Sequence, residues 1–251
     1  MAILSEIVGF LDAELRTSEI QDYPGALNGL QLQNSGRITK VISAVDASLA
    51  VIEEAAKTPG ALLLVHHGLF WQGAQPITGP RFGKIKAAIN ADLAIYSTHL
   101  PLDMHPTFGN NILLAKAIGL REVRTVLHKK GWPTGVCGVW DRSSAELKAA
   151  VAGAVGREIV ICESSREIIR EVVVITGGAA SEVAAVADLG VDAFVTGEGS
   201  HWTYVEAEDR DLTLLYAGHY ATETFGVREL GAILADRFGL PGEFIDRIGG
   251  L

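Results

Sequence analysis

The stretch Leu62-Leu63-Leu64-Val65-His66-His67-Gly68 constrains this chain more than any other. Four aliphatic residues run directly into two adjacent histidines, between Gly60 and Gly68. A short apolar run bounded in this way reads as a buried strand with the histidines at its end. On a continuing strand, neighbouring side chains point to opposite faces. His66 and His67 therefore reach one site only if the strand stops there and the backbone turns. Gly68 is expected to permit that turn, through backbone angles closed to other residues. Imidazoles at the carboxyl end of a buried strand lie where an open α/β sheet places its ligands.

Such a strand needs a core around it, and the 251 residues, 48% hydrophobic and 20% charged, supply one. The net charge of −9 argues against a non-specific nucleic-acid binder, which needs a basic face. Arg121, Arg124, His128, Lys129 and Lys130 form the one basic cluster and read as solvated surface. No apolar run reaches membrane-spanning length. Cys137 and Cys162 are too far apart for a Cys-x-x-Cys unit, and nothing suggests a disulfide framework. With acidic Glu6 and Asp12 near the amino terminus and no signal-peptide pattern, the expected location is the cytoplasm.

Around the Leu62 run, strands alternate with helices. Ile3 to Leu15 sets Leu4, Ile7, Val8, Leu11 and Leu15 on one helical face. Asn28-Gly29 reads as a turn. Lys40 to Asp46 is a strand, Ala47 to Lys57 a helix, and Leu93 to Thr98 a strand. Thr78-Gly79-Pro80 is expected to break the chain before a short helix over Lys84 to Asn90. Asn110 to Ile118 is a helix closed by Gly119. A second half opens near Gly131-Trp132-Pro133, and Ser143 with Glu146 forms a capping box. Strands follow at Glu158 to Cys162, Val172 to Thr176, Asp192 to Thr196 and Leu212 to Tyr216. A helix runs from Gly177-Gly178 through Leu189, a long one from Thr224 to Phe238, and Phe244 to Arg247 reads as a last strand. This alternation argues for an α/β protein with a largely parallel sheet in each of two lobes.

The halves echo each other. Each has strand, helix, glycine, strand, and then a further strand ending in a histidine with a carboxylate four residues on: His99 to Asp103, and His219 to Glu223. We read this as a degenerate duplication, two similar lobes related by a pseudo-twofold axis. Lobe one spans about 1–125 and lobe two about 126–251 of a single unit, with intertwining of the two left open.

His66, His67, His99 and His219 all sit at strand ends, with Asp103 and Glu223 close by. Mixed imidazoles and carboxylates suit zinc, iron, manganese or cobalt without choosing among them. They are more ligands than one tetrahedral ion needs, and a carboxylate can bridge two. Pro101 makes the His99–Asp103 segment read as a loop, whereas Glu223 falls near a helix start. His105, His128 and His201 read as surface or outer residues. Glu198 either lines the cleft or caps a helix, and Gly177-Gly178 and Gly197-x-Gly199 are weak phosphate-cradle signals.

As an ordered set, several motifs resemble the NIF-three-like dinuclear metal-centre family, whose bacterial members are described as GTP cyclohydrolase I type 2 homologues. They are Asn28-Gly29-Leu30-Gln31, Val65-His66-His67-Gly68 with Trp71, His99-Leu100-Pro101-Leu102-Asp103 continuing to Gly109-Asn110-Asn111, Asp192 to Glu198, and Gly218 to Glu223. The resemblance implies two divalent ions per subunit (zinc, iron or manganese). His66, Asp103 and Glu223 would hold one, and His67, His219 and Glu223 the other. It leaves His99 beside them as an orienting group or proton carrier, the one catalytic candidate. It also implies the NIF-three-like fold and a toroidal homohexamer. The chemistry expected is a metal-dependent hydrolase acting on a nucleotide or cyclic amide. A non-enzymatic metal-binding scaffold or regulator, or a metal-handling protein, remains the alternative.

Overall fold

The computed structural model describes residues 1–249. In chain order the first elements are β1 (Ala2–Ile3), α1 (Leu4–Leu15), β2 (Gly29–Leu32), β3 (Arg37–Ile38), β4 (Val41–Asp46), α2 (Leu49–Ala55) and β5 (Leu62–His67). Then come α3 (Gly79–Asn90), β6 (Ala94–Ser97), α4 (Leu100–Asp103), α5 (Asn110–Ala117), β7 (Arg121–Lys129), β8 (Trp132–Ser143) and α6 (Ser144–Val155). The rest are β9 (Val160–Cys162), β10 (Ile168–Val174), a 3-10 turn at Ala180–Glu182, α7 (Val183–Ala187), β11 (Ala193–Thr196), α8 (His201–Asp209), β12 (Thr213–Tyr216), α9 (His219–Thr222), α10 (Thr224–Phe238) and β13 (Gly242–Phe244). They form two compact units. Unit 1 is Met1–Leu102 with Gly226–Arg247, and unit 2 is built on Asp103–Phe225.

Unit 1 holds a five-stranded sheet in the order β13-β4-β5-β6-β2. β13, β4, β5 and β6 run parallel, and β2 pairs antiparallel with β6. Leu62, Leu63, Leu64 and Val65 are each at 0% exposure, so the central strand is covered on both faces. The side chains of Ile42, Leu63, Val65 and Ile95 pack with Val51 and Ile52 of α2 and Ala88 of α3. On the opposite face, Tyr96 donates to Asp12 of α1 at 2.7 Å. Leu4, Ile7, Leu11 and Leu15 of α1 are buried, as the sequence spacing requires. Fully burying a leucine contributes about 1.5–3 kcal/mol, so β5 is the strand this unit is least able to lose.

Unit 2 holds a six-stranded sheet, β7-β8-β10-β11-β12-β9. Here β10, β11 and β12 are parallel, but β7–β8, β8–β10 and β12–β9 are antiparallel. Both sheets are therefore mixed, and the expectation of a largely parallel sheet holds for unit 1 alone. The difference comes from the β7–β8 hairpin, which an α/β reading of the second half overlooks. Alternate residues again face two cores. Val172, Val174, Ala193 and Val195 pack with Leu147 and Val151 of α6, while Val173 and Phe194 pack with Val183 of α7 and Ala207 of α8.

Other local expectations are met or corrected. The Ser143–Glu146 capping box is present, and α6 ends in left-handed Gly156. Thr78-Gly79-Pro80 starts α3 rather than breaking the chain before it, because Pro80 falls in the first turn, where a missing N–H costs nothing. Pro101 likewise lies in the opening turn of α4, so His99–Asp103 is a helical turn and not a loop. β13 lies at Gly242–Phe244 and shares only Phe244 with the stretch expected from sequence. No helix among the described residues is long and apolar enough to cross a membrane.

Candidate metal centre

In unit 1 the parallel strands deliver their carboxyl ends side by side. β4 ends in Asp46, paired with His67 at the end of β5, and Val65 pairs with Ser97 at the end of β6. Thr98 and His99 follow directly. The rings of His66 and His67 lie 4.8 Å apart between centroids, His66 and His99 4.8 Å, and His67 and His99 5.7 Å. One ring nitrogen of each lies within 4.8 Å of those of the other two. The expected turn after His67 is made, but Gly68 is needed for space rather than for backbone freedom. A Cβ there would sit 2.3 Å from the Gln31 amide. That amide accepts the Leu69 N–H at 2.7 Å and donates to the Ala26 and Leu27 carbonyls.

Each imidazole of this cluster is tied through Nδ1. His66 Nδ1 donates to the Thr98 carbonyl at 2.9 Å, His67 Nδ1 to Asp46 at 2.9 Å, and His99 Nδ1 to Asp22 at 2.9 Å. Carbonyl and carboxylate oxygens only accept, so Nδ1 carries a proton, and in the neutral ring the lone pair is then on Nε2. An outer acceptor fixing tautomer and ring is the arrangement of a metal-ligating histidine. Asp22 also accepts the Asn28 side-chain N–H at 2.8 Å and the Leu100 N–H at 2.9 Å, while Asn28 accepts the His99 N–H at 2.7 Å. Burial pushes the Asp22 carboxyl up, but the His99 hydrogen bond and charge, with Asn28 and the Tyr23 N–H, outweigh it and hold the group below its usual range.

In unit 2 the ends of β10, β11 and β12 carry Thr176-Gly177, Gly197-Glu198 and Gly218-His219. His219 lies between two carboxylates, with Nδ1 2.8 Å from Glu198 and Nε2 3.1 Å from Glu223. Burial lowers its affinity for a proton, but Glu223 and Glu198 together overcome this and push its pKa up to about 9. Glu223 is 2% exposed, and the space for it is made by Gly177. With φ at +70°, a Cβ on Gly177 would sit 2.2 Å from Glu223 Oε1. Asp103, also buried, accepts from the Asn110 side chain at 2.8 Å and from the Thr176 hydroxyl at 3.3 Å.

The sequence-derived site residues thus fall into two sets. His66, His67 and His99 come together in unit 1. His219 and Glu223 pair in unit 2, where Asp103 is anchored by Asn110 and Thr176. These buried His, Asp and Glu groups are compatible with divalent ions, and the outer acceptors are what such ligands require. His128 and His201 are exposed, and His105 stacks on Phe108 with centroids 3.4 Å apart. Sequence reasoning missed Asp22, Asp46 and the Thr98 carbonyl as acceptors. Asp46 had a readable signal, because it ends the strand beside β5. Asp22 lies outside any strand or helix and had none. Glu198 resolves as the acceptor for His219.

The model of the Duf34/NIF3 (NGG1p interacting factor 3) family matches residues 2–247. A Deinococcus radiodurans protein described as GTP cyclohydrolase 1 type 2 homolog is 36% identical over 244 residues, covering 96% of this chain and 92% of its own. A solved structure titled protein ybgI, of unknown function, superposes with a TM-score of 0.92 at 33% identity, covering 99% of both chains. The structure of TTHA1606 from Thermus thermophilus gives a TM-score of 0.86 at 32% identity over the full length of both.

Proposed function

From the premise that this chain belongs to the Duf34/NIF3 family, we propose that it is a dinuclear metal protein and a metal-dependent hydrolase acting on a nucleotide or cyclic amide. His66, Asp103 and Glu223 would hold one divalent ion and His67, His219 and Glu223 the other, Glu223 serving both. The observation that carries the reading is the shared state of the histidines. His66, His67 and His219 each have Nδ1 engaged by an oxygen, of Thr98, Asp46 and Glu198 respectively. That is the outer shell of a ligand imidazole, and three such rings at strand ends are not needed to hold a sheet together. Bound there, two divalent ions would supply an activated water near neutral pH and neutralise charge on the attacked group.

The chain's own groups would do the rest. Asp22 holds His99 in the tautomer whose Nε2 can take up a proton and return it to a leaving group. Asn110 and Thr176 keep the Asp103 carboxylate from rotating. Assembly into a toroidal homohexamer belongs to the same reading, and sedimentation velocity tests it. The deciding experiment is metal content per chain, on protein purified without added metal or a nickel column, beside Glu223→Ala. About two ions, falling to one or fewer in the variant, support the reading and justify a screen of hydrolytic substrates, nucleotides first. No metal in the wild type, even after reconstitution with zinc, iron or manganese, would overturn it in favour of a binding scaffold.

A further inference from the structure

Unit 1 contains three imidazoles that share one hydrogen-bonding state, and we propose that His66, His67 and His99 form a metal site of their own. That site would hold a single divalent ion of the zinc or cobalt class when only one ion is bound. The proposal rests on the preceding reading in one respect, that His66 and His67 face metal. It adds a third ligand, and an ion that asks nothing of unit 2.

The geometry is that of a three-histidine site. The rings come from the ends of two adjacent parallel strands, with centroids 4.8, 4.8 and 5.7 Å apart. Their ligand nitrogens all lie within 4.8 Å of one another. Metal–nitrogen bonds of about 2.0 Å in a tetrahedral site place ligand nitrogens roughly 3.3 Å apart, inside that limit. All three rings donate from Nδ1 to a separate oxygen, so the neutral form of each has its lone pair on Nε2. Three neutral ligands leave the charge of the ion uncompensated. Asp46 and Asp22, each one hydrogen bond behind a ligand ring, bring two negative charges.

His99 is a ligand in this site, not only a proton carrier. Its ring is fixed by Asp22, its N–H by Asn28, and the Asp22 side chain is 5% exposed. Trp71 packs against His99 at 4.8 Å and His67 at 5.6 Å, and Tyr23 lies 5.9 Å from His99. A ring held on so many sides is a positioned ligand. With one ion bound, His99 completes the ligand set. With two bound, His66 and His67 part company and His99 is left to handle protons.

The test uses the full-length Glu223→Gln protein, stripped by chelator and titrated with cobalt(II). We expect one equivalent to bind with visible absorption bands of four-coordinate cobalt, quenching an emission component that Trp71→Phe removes. Adding His99→Ala should weaken that binding by more than about 100-fold and change the bands, while Asp22→Asn should weaken it about 10-fold. No cobalt bound by a Glu223→Gln protein with wild-type circular dichroism would overturn the proposal. So would bound cobalt whose affinity and spectrum ignore His99→Ala. If Glu223→Gln does not fold, the first equivalent added to wild type and to His99→Ala gives the same two outcomes. A wild type that saturates at one ion sensitive to His99 would overturn the dinuclear reading and leave this one standing.

Discussion

The two units present the same topological feature, the carboxyl ends of three parallel strands, yet they furnish it with different chemistry. The ends of β5 and β6 carry three imidazoles, two of them backed by a carboxylate one hydrogen bond away, Asp46 at the end of β4 behind His67 and Asp22 behind His99, while a carbonyl backs His66. β10, β11 and β12 end around one imidazole with a carboxylate on each ring nitrogen. Unit 1 offers imidazoles whose neutral form is the ligand tautomer. Unit 2 offers an internal ion pair, in which Glu223 and His219 must exchange each other for a metal. An ion arriving at unit 1 displaces no proton from a paired carboxylate, whereas one arriving at unit 2 competes with one.

The largest effect that could break this contrast lies in the two glycines beside the clusters. Gly177→Ala places a Cβ where Glu223 Oε1 now is, at a φ of +70°. Left-handed backbone costs a non-glycine residue about 1–2 kcal/mol, and the clash adds to it. We expect a loss of about 2–4 kcal/mol in urea unfolding, together with most of the bound metal. Gly68→Ala also meets a side chain at 2.3 Å, but that is the flexible end of Gln31, and no positive φ is involved. It should cost about 1 kcal/mol, for the lost Leu69–Gln31 hydrogen bond, and leave metal content unchanged. Equal metal loss in both variants would mean that Gln31, and not only Glu223, belongs to the centre.

These two glycines also show what could be read from sequence and what could not. Both follow a predicted strand, but only Gly68 was legible as a turn residue, and Gly177 read as the lead into a helix and a weak phosphate-cradle signal. That one makes room for an amide and the other for a carboxylate depends on side chains distant in sequence. The ligand residues were legible because strand ends are local features and histidines there are conspicuous. The α4 turn was not, because Pro101 signals a break unless its place in a first turn is known. The β7–β8 hairpin was hidden for a related reason. Gly135, Gly138 and Asp141 interrupt the apolar pattern of β8, and β7 is an exposed edge, so neither shows a clean alternation. The basic residues of β7 did prove to be solvated surface, with Arg124 paired to Glu171 and Lys129 to Glu182. The acceptors Asp22 and Asp46 emerge only when the chain brings positions 22 and 99, or 46 and 67, together.

An intermediate effect should come from the acceptors themselves. Asp46→Asn and Glu198→Gln each weaken the hydrogen bond behind one ligand histidine, His67 in unit 1 and His219 in unit 2. Removing such a partner lowers metal affinity by about 10- to 100-fold. The two variants should differ in kind. Asp46→Asn only lowers ligand basicity. Glu198→Gln also weakens the hold of His219 on its proton, which relieves competition, so its net loss should be the smaller. Chelator competition at pH 7 measures both, and a greater loss in Glu198→Gln would put the main hold on metal in unit 2.

The smallest effect is in the metal-free protein, and it isolates unit 2. His219 titrates near 9 when folded against about 6.5 unfolded, because Glu223 and Glu198 outweigh its burial. A raised folded pKa stabilises fully below the unfolded value, and that contribution is lost as pH rises through the folded one. Chelator-treated protein should therefore lose a few degrees of melting temperature between about pH 6.5 and pH 9 that His219→Gln does not lose. Glu198→Gln should retain part of the slope, since Glu223 still faces the ring. With metal bound the slope should vanish, because the ion takes the place of the proton and His219 no longer titrates in that range. A slope that survives metal loading would mean that His219 keeps its proton, and unit 2 would then contribute carboxylates alone to the centre.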